Sequence, residues 1–371
     1  MIIFNCTTNI MGGGKKNAVL FIKHSVKYPN YVYFVHECIL EELQGVDIPD
    51  SRLYVFKKSP AKCMSTRKEI AKLANEISPD VFYTMSGPSY VKVKALSVCG
   101  ISDGFVTHSS LNNFFNFMPI SLSIKALLNS VYKCMHLRYN DYLIFQTETA
   151  AKAFRKRAFF KYNEKIISNA FDNGLLKSDL KKDSLNNGKV EILVPGSDYW
   201  HKGYEQIIPI INNHQDFLDK YQIEFVFTLP SDSGIFNFIK SKMSADKVDK
   251  YIVNKGKYSY SSISSVYDSA DFVFVPSNLE TFSAHYLEAF CFGKPLIVTD
   301  TDFAIEICSD SAVAVEQNNP EALVETLKSL IENKEKCREK VSAGYEFLDS
   351  MYSQEERVDL INTFLESISV S

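Results

Sequence analysis

The stretch from Asp271 to Asp300 does most to limit what this chain can fold into. Asp271-Phe-Val-Phe-Val275 is a short apolar run, which predicts a buried strand. A polar turn follows, and residues from about Ser283 to Phe292 have the spacing of an amphipathic helix. Gly293 and Pro295 stop that helix, and Leu296-Ile-Val298 begins another strand. A strand–turn–helix–strand unit of this kind belongs to a parallel α/β sheet, and the carboxyl end of its first strand opens onto the ligand crevice. Free N–H groups at a helix start attract phosphate, and a carboxylate deeper in the crevice can accept from two sugar hydroxyls. Glu280 and Glu288 frame this turn and helix. Either alone is also what a helix start uses to offset its dipole, an effect of about 0.3–1 kcal/mol.

The same alternation runs through the chain. Strand patterns occur at Ile2–Phe4, Tyr31–His36, Leu53–Phe56, Val81–Met85, Gly104–His108 and Tyr142–Phe145, then at Val190–Val194, Glu224–Phe227, Tyr251–Val253 and Ala312–Val315. Helical patterns lie between them, including one from Lys15 to about Lys27 and one over Arg67–Ile77. Right-handed βαβ crossovers and parallel sheets are expected. At 371 residues the chain exceeds one comfortable core, which predicts two α/β domains. The polar stretch 171–189 reads as the linker between a domain over 1–170 and one over 190–350, with 351–371 as a last helix.

The net charge of −3 hides an asymmetry. Residues 1–170 carry 22 Lys+Arg against 12 Asp+Glu, a net of +10, whereas 171–371 carry 19 against 32, a net of −13. The first half therefore favours an anionic surface. Part of that charge is the run Lys152, Arg155, Lys156, Arg157, Lys161 and Lys165, which reads as a solvated helix face or as a contact for anionic lipid. Residues 112–139 mix Phe114, Phe115, Phe117, Met118, Ile120, Leu122, Leu127 and Leu128 with Lys125, Lys133 and Arg138. They read either as a loop and core helix or as an amphipathic surface resting on lipid headgroups. No apolar stretch approaches the ~18 residues that cross a bilayer, so membrane contact is expected to be peripheral. Eight cysteines are scattered without a CxxC pair, as reduced thiols of a cytoplasmic protein would be. No His/Cys cluster has metal-ligand spacing, and neither a metal nor another cofactor is expected; nor is a nucleic-acid partner.

Several motifs together resemble the donor site of retaining family 4 glycosyltransferases with the GT-B fold. These are Glu280 and Glu288 with seven residues between them, Thr281-Phe282-Ser283 after the first, Glu288-Ala289, and Gly293-Lys-Pro295. The family's usual glycine two residues after Thr281 is Ser283 here. The resemblance implies an α/β protein of two facing Rossmann-like domains with parallel sheets and a cleft between them, the last helix crossing back to the first domain. It implies that Glu288 holds the donor ribose and Glu280 the donor sugar. Gly12-Gly13-Gly14 lacks dinucleotide-fingerprint spacing and also reads as a flexible turn, yet it looks like the family's Gly-rich loop over the donor. His108, like any lone histidine, is commonly structural, but in the family a histidine at this point lies near the donor sugar. His36 and Glu37 are candidates for the acceptor side.

In Gly196-Ser197-Asp198-Tyr-Trp-His201-Lys202-Gly203, Lys202 falls on the family's diphosphate-gripping lysine, while Ser197 occupies the place of its partner arginine. A missing guanidinium removes a contact worth roughly 1.5–3 kcal/mol. Ser197 with backbone amides, His201 or Lys255 would have to replace it, or donor binding is weak. Asn254-Lys-Gly256 falls where the family holds the nucleobase through main-chain contacts. The expected activity is metal-independent, retaining transfer of a sugar from a nucleotide-sugar to a glycan or polyprenyl-diphosphate-linked acceptor. The setting expected is bacterial O-antigen, capsule or related polysaccharide synthesis at the inner face of the plasma membrane. Two rivals stay open, a degenerate nucleotide-sugar-binding homologue, which Ser197 favours, and a GT-B nucleotide-sugar epimerase.

Overall fold

The computed structural model describes residues 1–108, 110–171, 188–259 and 262–369. The chain divides into two units, one of Met1–Phe114, Ile120–Asp172 and Tyr352–Ser371, the other of Phe115–Pro119 and Asn173–Met351. Residues 172–187 of the expected linker lie outside the described residues.

The first unit is built on strands β1 (Ile2–Asn5), β2 (Tyr31–His36), β3 (Leu53–Phe56), β4 (Val81–Thr84), β5 (Leu96–Ile101), β6 (Tyr142–Phe145) and β7 (Asn163–Ile166). They form a parallel sheet in the order β3-β2-β1-β4-β5-β6-β7. The second unit carries β8 (Val190–Val194), β9 (Ile223–Phe227), β10 (Ile252–Asn254), β11 (Phe272–Val275), β12 (Leu296–Thr299) and β13 (Ala312–Val315). Their order is β10-β9-β8-β11-β12-β13, again parallel throughout. Both sheets are doubly wound and reverse direction beside their first strand, at β1/β4 and at β8/β11. Chain leaving those strands at their carboxyl ends is where such sheets hold ligands.

Apolar runs became strands because helices cover both faces and leave the inner strands almost wholly buried. One expectation is corrected. Gly104–Thr107 is a helical turn, not a strand, because Asp103 caps it by accepting from Phe105 N at 2.9 Å. The strand lies earlier, in β5, where Ser97, Cys99 and Gly100 dilute the β-branched pattern. The edge strand β7, Asn-Glu-Lys-Ile, carries no apolar alternation. The stretch 112–139 divides: Phe114 is buried, and the helix Ile120–Leu137 joins the core through Cys134 and Leu137 while turning a second apolar face outwards.

The C-terminal helix Gln354–Ser369 packs on the first unit through Val358, Ile361 and Leu365, all in one core with Phe4 and Phe21. Tyr28 donates to Asp359 at 2.7 Å, and the buried Arg357 donates to the Ser168 carbonyl at 3.0 Å. Ile361→Ala is expected to destabilise this unit by about 2–5 kcal/mol, read as a lower urea midpoint. An unchanged midpoint would mean that this helix is not part of the core.

Candidate functional site

In the second unit the two loops leaving β8 and β11 meet at the reversal of the sheet. The first loop closes as a short turn, Trp200–Lys202, capped by Gly203 at φ +71°. A Cβ on Gly203 would stand 1.9 Å from the Pro276 carbonyl oxygen, so only glycine permits both the left-handed turn and this approach. Asn278 N donates to the His201 carbonyl at 2.8 Å, and Gln206 Nε2 donates to the Pro276 carbonyl at 2.7 Å and to Asn278 Oδ1 at 3.2 Å. Asn278 in turn donates to Glu205 at 2.9 Å, whose carboxyl is pushed up by burial.

This frame places the Lys202 ammonium against Glu280 Oε1 in an ion pair whose two side chains are each 12% exposed. Ser277 Oγ donates to the same oxygen at 3.2 Å. Burial pushes the Glu280 carboxyl up, but Lys202 and His201 more than offset that and hold it below the ordinary range. Thr281 and Ser283 are buried and Phe282 partly so. Ser283 is the N-cap residue of the helix Ala284–Cys291 but makes no side-chain cap bond. On that helix Glu288 Oε2 accepts from Tyr267 OH at 2.7 Å and lies 2.8 Å from His285 Nδ1. One oxygen is thus fixed from two sides.

Lys202, Glu280, Thr281, Phe282, Ser283 and Glu288 are therefore gathered on the loops and helix around β8 and β11. Ser197 keeps its carbonyl bonded to Tyr204 OH at 3.0 Å. Of the two cations considered as substitutes for the missing guanidinium, His201 lies beside Glu280, stacked on Tyr199. Lys255 is tied instead to Glu191 at 3.2 Å and Ser269 at 2.8 Å. The Asn254 side chain bridges strand ends, accepting from Leu229 N and Gly256 N at 3.0 and 3.2 Å. Gly256 is left-handed at φ +76°.

The remaining candidates belong to the first unit. Gly12, Gly13 and Gly14 are the first turn of the helix Gly12–Ser25, three residues earlier than expected. Gly12 has φ +58°, and a Cβ on Gly12 or Gly13 would meet nothing within 4 Å, so this helix start has an open face. His108 follows the capped turn after β5, buried, with Nδ1 2.8 Å from Thr107 Oγ1. His36 accepts from Cys38 N at 3.2 Å, a turn-forming role. Sequence reasoning missed Gln206, Asn278, Tyr267 and His285. Only His285 carried a signal, three residues before Glu288 on one helix face. Among the described residues no group of three or more His, Cys, Asp or Glu could hold a metal ion.

Because folding depresses the Glu280 pKa, its contribution is present above the ordinary value of about 4.3 and lost as pH falls through the folded value. Stability of the second unit should fall on acidification through that window. Glu280→Gln should remove that component and cost about 3–5 kcal/mol near neutrality by leaving Lys202 unpaired. Urea midpoints of both proteins between pH 7 and 3 check this, and equal midpoints at pH 7 would contradict it.

Comparison with known proteins agrees with this architecture. Residues 177–347 match the family Glycosyl transferases group 1. An uncharacterized glycosyltransferase of Methanocaldococcus jannaschii, MJ1178, is 25% identical over 264 residues, 66% of this chain and 72% of that protein. Sucrose-phosphate synthase from Thermosynechococcus elongatus superimposes with a TM-score of 0.74 at 13% identity, covering 99% of this chain and 98% of its own. Anabaena HepE, determined in complex with UDP and glucose, gives 0.70 at 16% identity, covering 99% of both chains. Residues 177–347 therefore belong to the glycosyl transferases group 1 family, and the chain that carries them has the GT-B fold.

Proposed function

We propose that this protein transfers a sugar, with retention of configuration and without a metal ion, from a nucleotide-sugar to a glycan or polyprenyl-diphosphate-linked acceptor. The setting is bacterial O-antigen, capsule or related polysaccharide synthesis at the inner face of the plasma membrane. The observation that carries the reading is the buried Lys202–Glu280 pair where the sheet of the second unit reverses, with Glu288 fixed on the adjoining helix. That HepE binds UDP and UDP-glucose supports a nucleotide-sugar as donor.

In this reading Glu288 accepts from the ribose hydroxyls while Tyr267 and His285 hold it in place. The Lys202 ammonium and the N–H groups of Thr281–Ser283 balance the charge that develops on the departing diphosphate. Glu280 accepts from donor-sugar hydroxyls, and His108 and Gly12–Gly14 belong to the donor-sugar side. Asn254 and Gly256 lie where main chain receives the base. No side chain stands out as a covalent nucleophile, so the acceptor oxygen attacks on the face the diphosphate leaves, through an oxocarbenium-like state. The acceptor hydroxyl passes its proton to the leaving phosphate oxygen. Before the donor arrives Lys202 is neutralised by Glu280, so the diphosphate competes with that carboxylate for the ammonium. Ser197 favours one second reading, a homologue that binds nucleotide-sugar without turnover.

Glu288→Ala should weaken nucleoside diphosphate binding by about 1.5–3 kcal/mol, roughly 10- to 150-fold, in calorimetry; unchanged affinity would remove the ribose assignment. Lys202→Ala should lower turnover of the nucleotide-sugar well beyond a surface lysine control. Wild-type turnover in that variant would take Lys202 out of the mechanism, and a wild type that binds donor without turning it over with any acceptor would favour the second reading.

A further inference from the structure

The helix Ile120–Leu137 is amphipathic the wrong way round for a core helix. Ile120, Ile124, Leu128, Val131 and Met135 recur on one face, and each is at least 45% exposed. The opposite face is buried and built from Ser123, Ser130, Cys134 and Leu137, with Ser130 donating to the Phe105 carbonyl at 2.6 Å. A contiguous exposed apolar stripe of this size marks a contact surface. The helix spans about 27 Å and contains no carboxylate, its charged residues being Lys125 and Lys133.

The second observation lies at its C-terminal end. A groove of about 1020 Å³ there is lined by Lys92, Arg138, Arg155 and Lys161 against Asp141 and Glu164. Glu164 is held by Arg155 at 2.9 Å, and Asp141 accepts from Ser97 N at 2.8 Å. Lys92, Arg138 and Lys161 have no carboxylate partner among the described residues, so the groove presents unneutralised positive charge beside the stripe. Within this unit the second half of the helix packs on the turn after β5, Ser130 against Phe105 and Lys133 against Asp103, its first half lies beyond the carboxyl end of β5, and it ends just before β6. The stripe thus runs from the ligand end of the sheet to the basic groove.

We propose that this helix lies in the plane of an anionic bilayer, its outward stripe among the acyl chains and the Arg138–Lys161 groove receiving lipid phosphate. Charge decides between a bilayer and a second copy of the chain. Residues 1–170 are net +10, with 22 Lys+Arg against 12 Asp+Glu, and pairing two copies through this face would oppose Lys125 and Arg138 of both. An anionic bilayer instead complements the stripe's surroundings. The inference deepens the membrane-side part of the proposed function by naming its surface. That surface sets the ligand end of the first unit near the bilayer, where a lipid-linked acceptor presents its sugar.

Flotation of the full chain with phosphatidylglycerol-containing vesicles and with pure phosphatidylcholine vesicles, at 0.1 M salt, tests it. Expected is binding to the anionic vesicles at least tenfold tighter than to the neutral ones. Ile124→Ser with Leu128→Ser should reduce it at least tenfold. Arg138→Gln with Lys161→Gln should reduce it by roughly fivefold per charge removed. Equal binding to both vesicle types, no binding, or no effect of either double variant overturns the inference. So does a dimer in sedimentation that the Ile124/Leu128 variant abolishes. Nucleotide binding, measured on the same proteins, separates the two claims. A chain that floats but binds no nucleotide refutes the donor-site reading alone, and one that binds nucleotide but does not float refutes this inference alone.

Discussion

The close approach of two loops organises the second unit. Gly203 lets the loop after β8 lie against the Pro276 carbonyl, and Gln206 and Asn278 bond the two loops together. A parallel sheet that reverses beside its first strand always brings two such loops side by side; here a missing Cβ and buried amides fix their separation. Lys202 and Glu280 sit one on each loop, so their pairing is a consequence of that contact. The pairing in turn holds the Glu280 carboxyl ionised despite its burial. A carboxylate kept ionised in a largely dry site accepts hydrogen bonds without reorganisation.

Glu288 is prepared in a different way. One of its oxygens is fixed by Tyr267 OH and His285 Nδ1. Two hydrogen bonds to one carboxylate oxygen set the plane of the group before any ligand arrives. The two carboxylates of the motif therefore differ, one balanced by the Lys202 ammonium and one positioned by Tyr267 and His285.

Much of the fold was legible because buried parallel strands must be short apolar runs, as in Phe272–Val275 and Leu296–Thr299. Where a local polar bond competed, the pattern misled. Val106 and Thr107 look like strand, yet the Asp103 cap closes them into a helical turn. The strand β7 escaped notice because an edge strand can be polar. At the site, residues on the motif itself were visible by spacing, whereas Gln206 and Tyr267 act across long sequence separations that no local pattern records. The helix Ile120–Leu137 is instructive in the same way. Its composition allowed either a core or a surface role, and only packing shows that the small polar face is the buried one.

The account rests on the donor nucleotide binding where the loops after β8 and β11 meet. A crystal structure of the chain with a bound nucleoside diphosphate tests this most directly. The account predicts the diphosphate within hydrogen-bond reach of Lys202 and the N–H groups of Thr281–Ser283, with the ribose hydroxyls on Glu288. A nucleotide bound elsewhere on the second unit, or with its ribose turned away from Glu288, would contradict it.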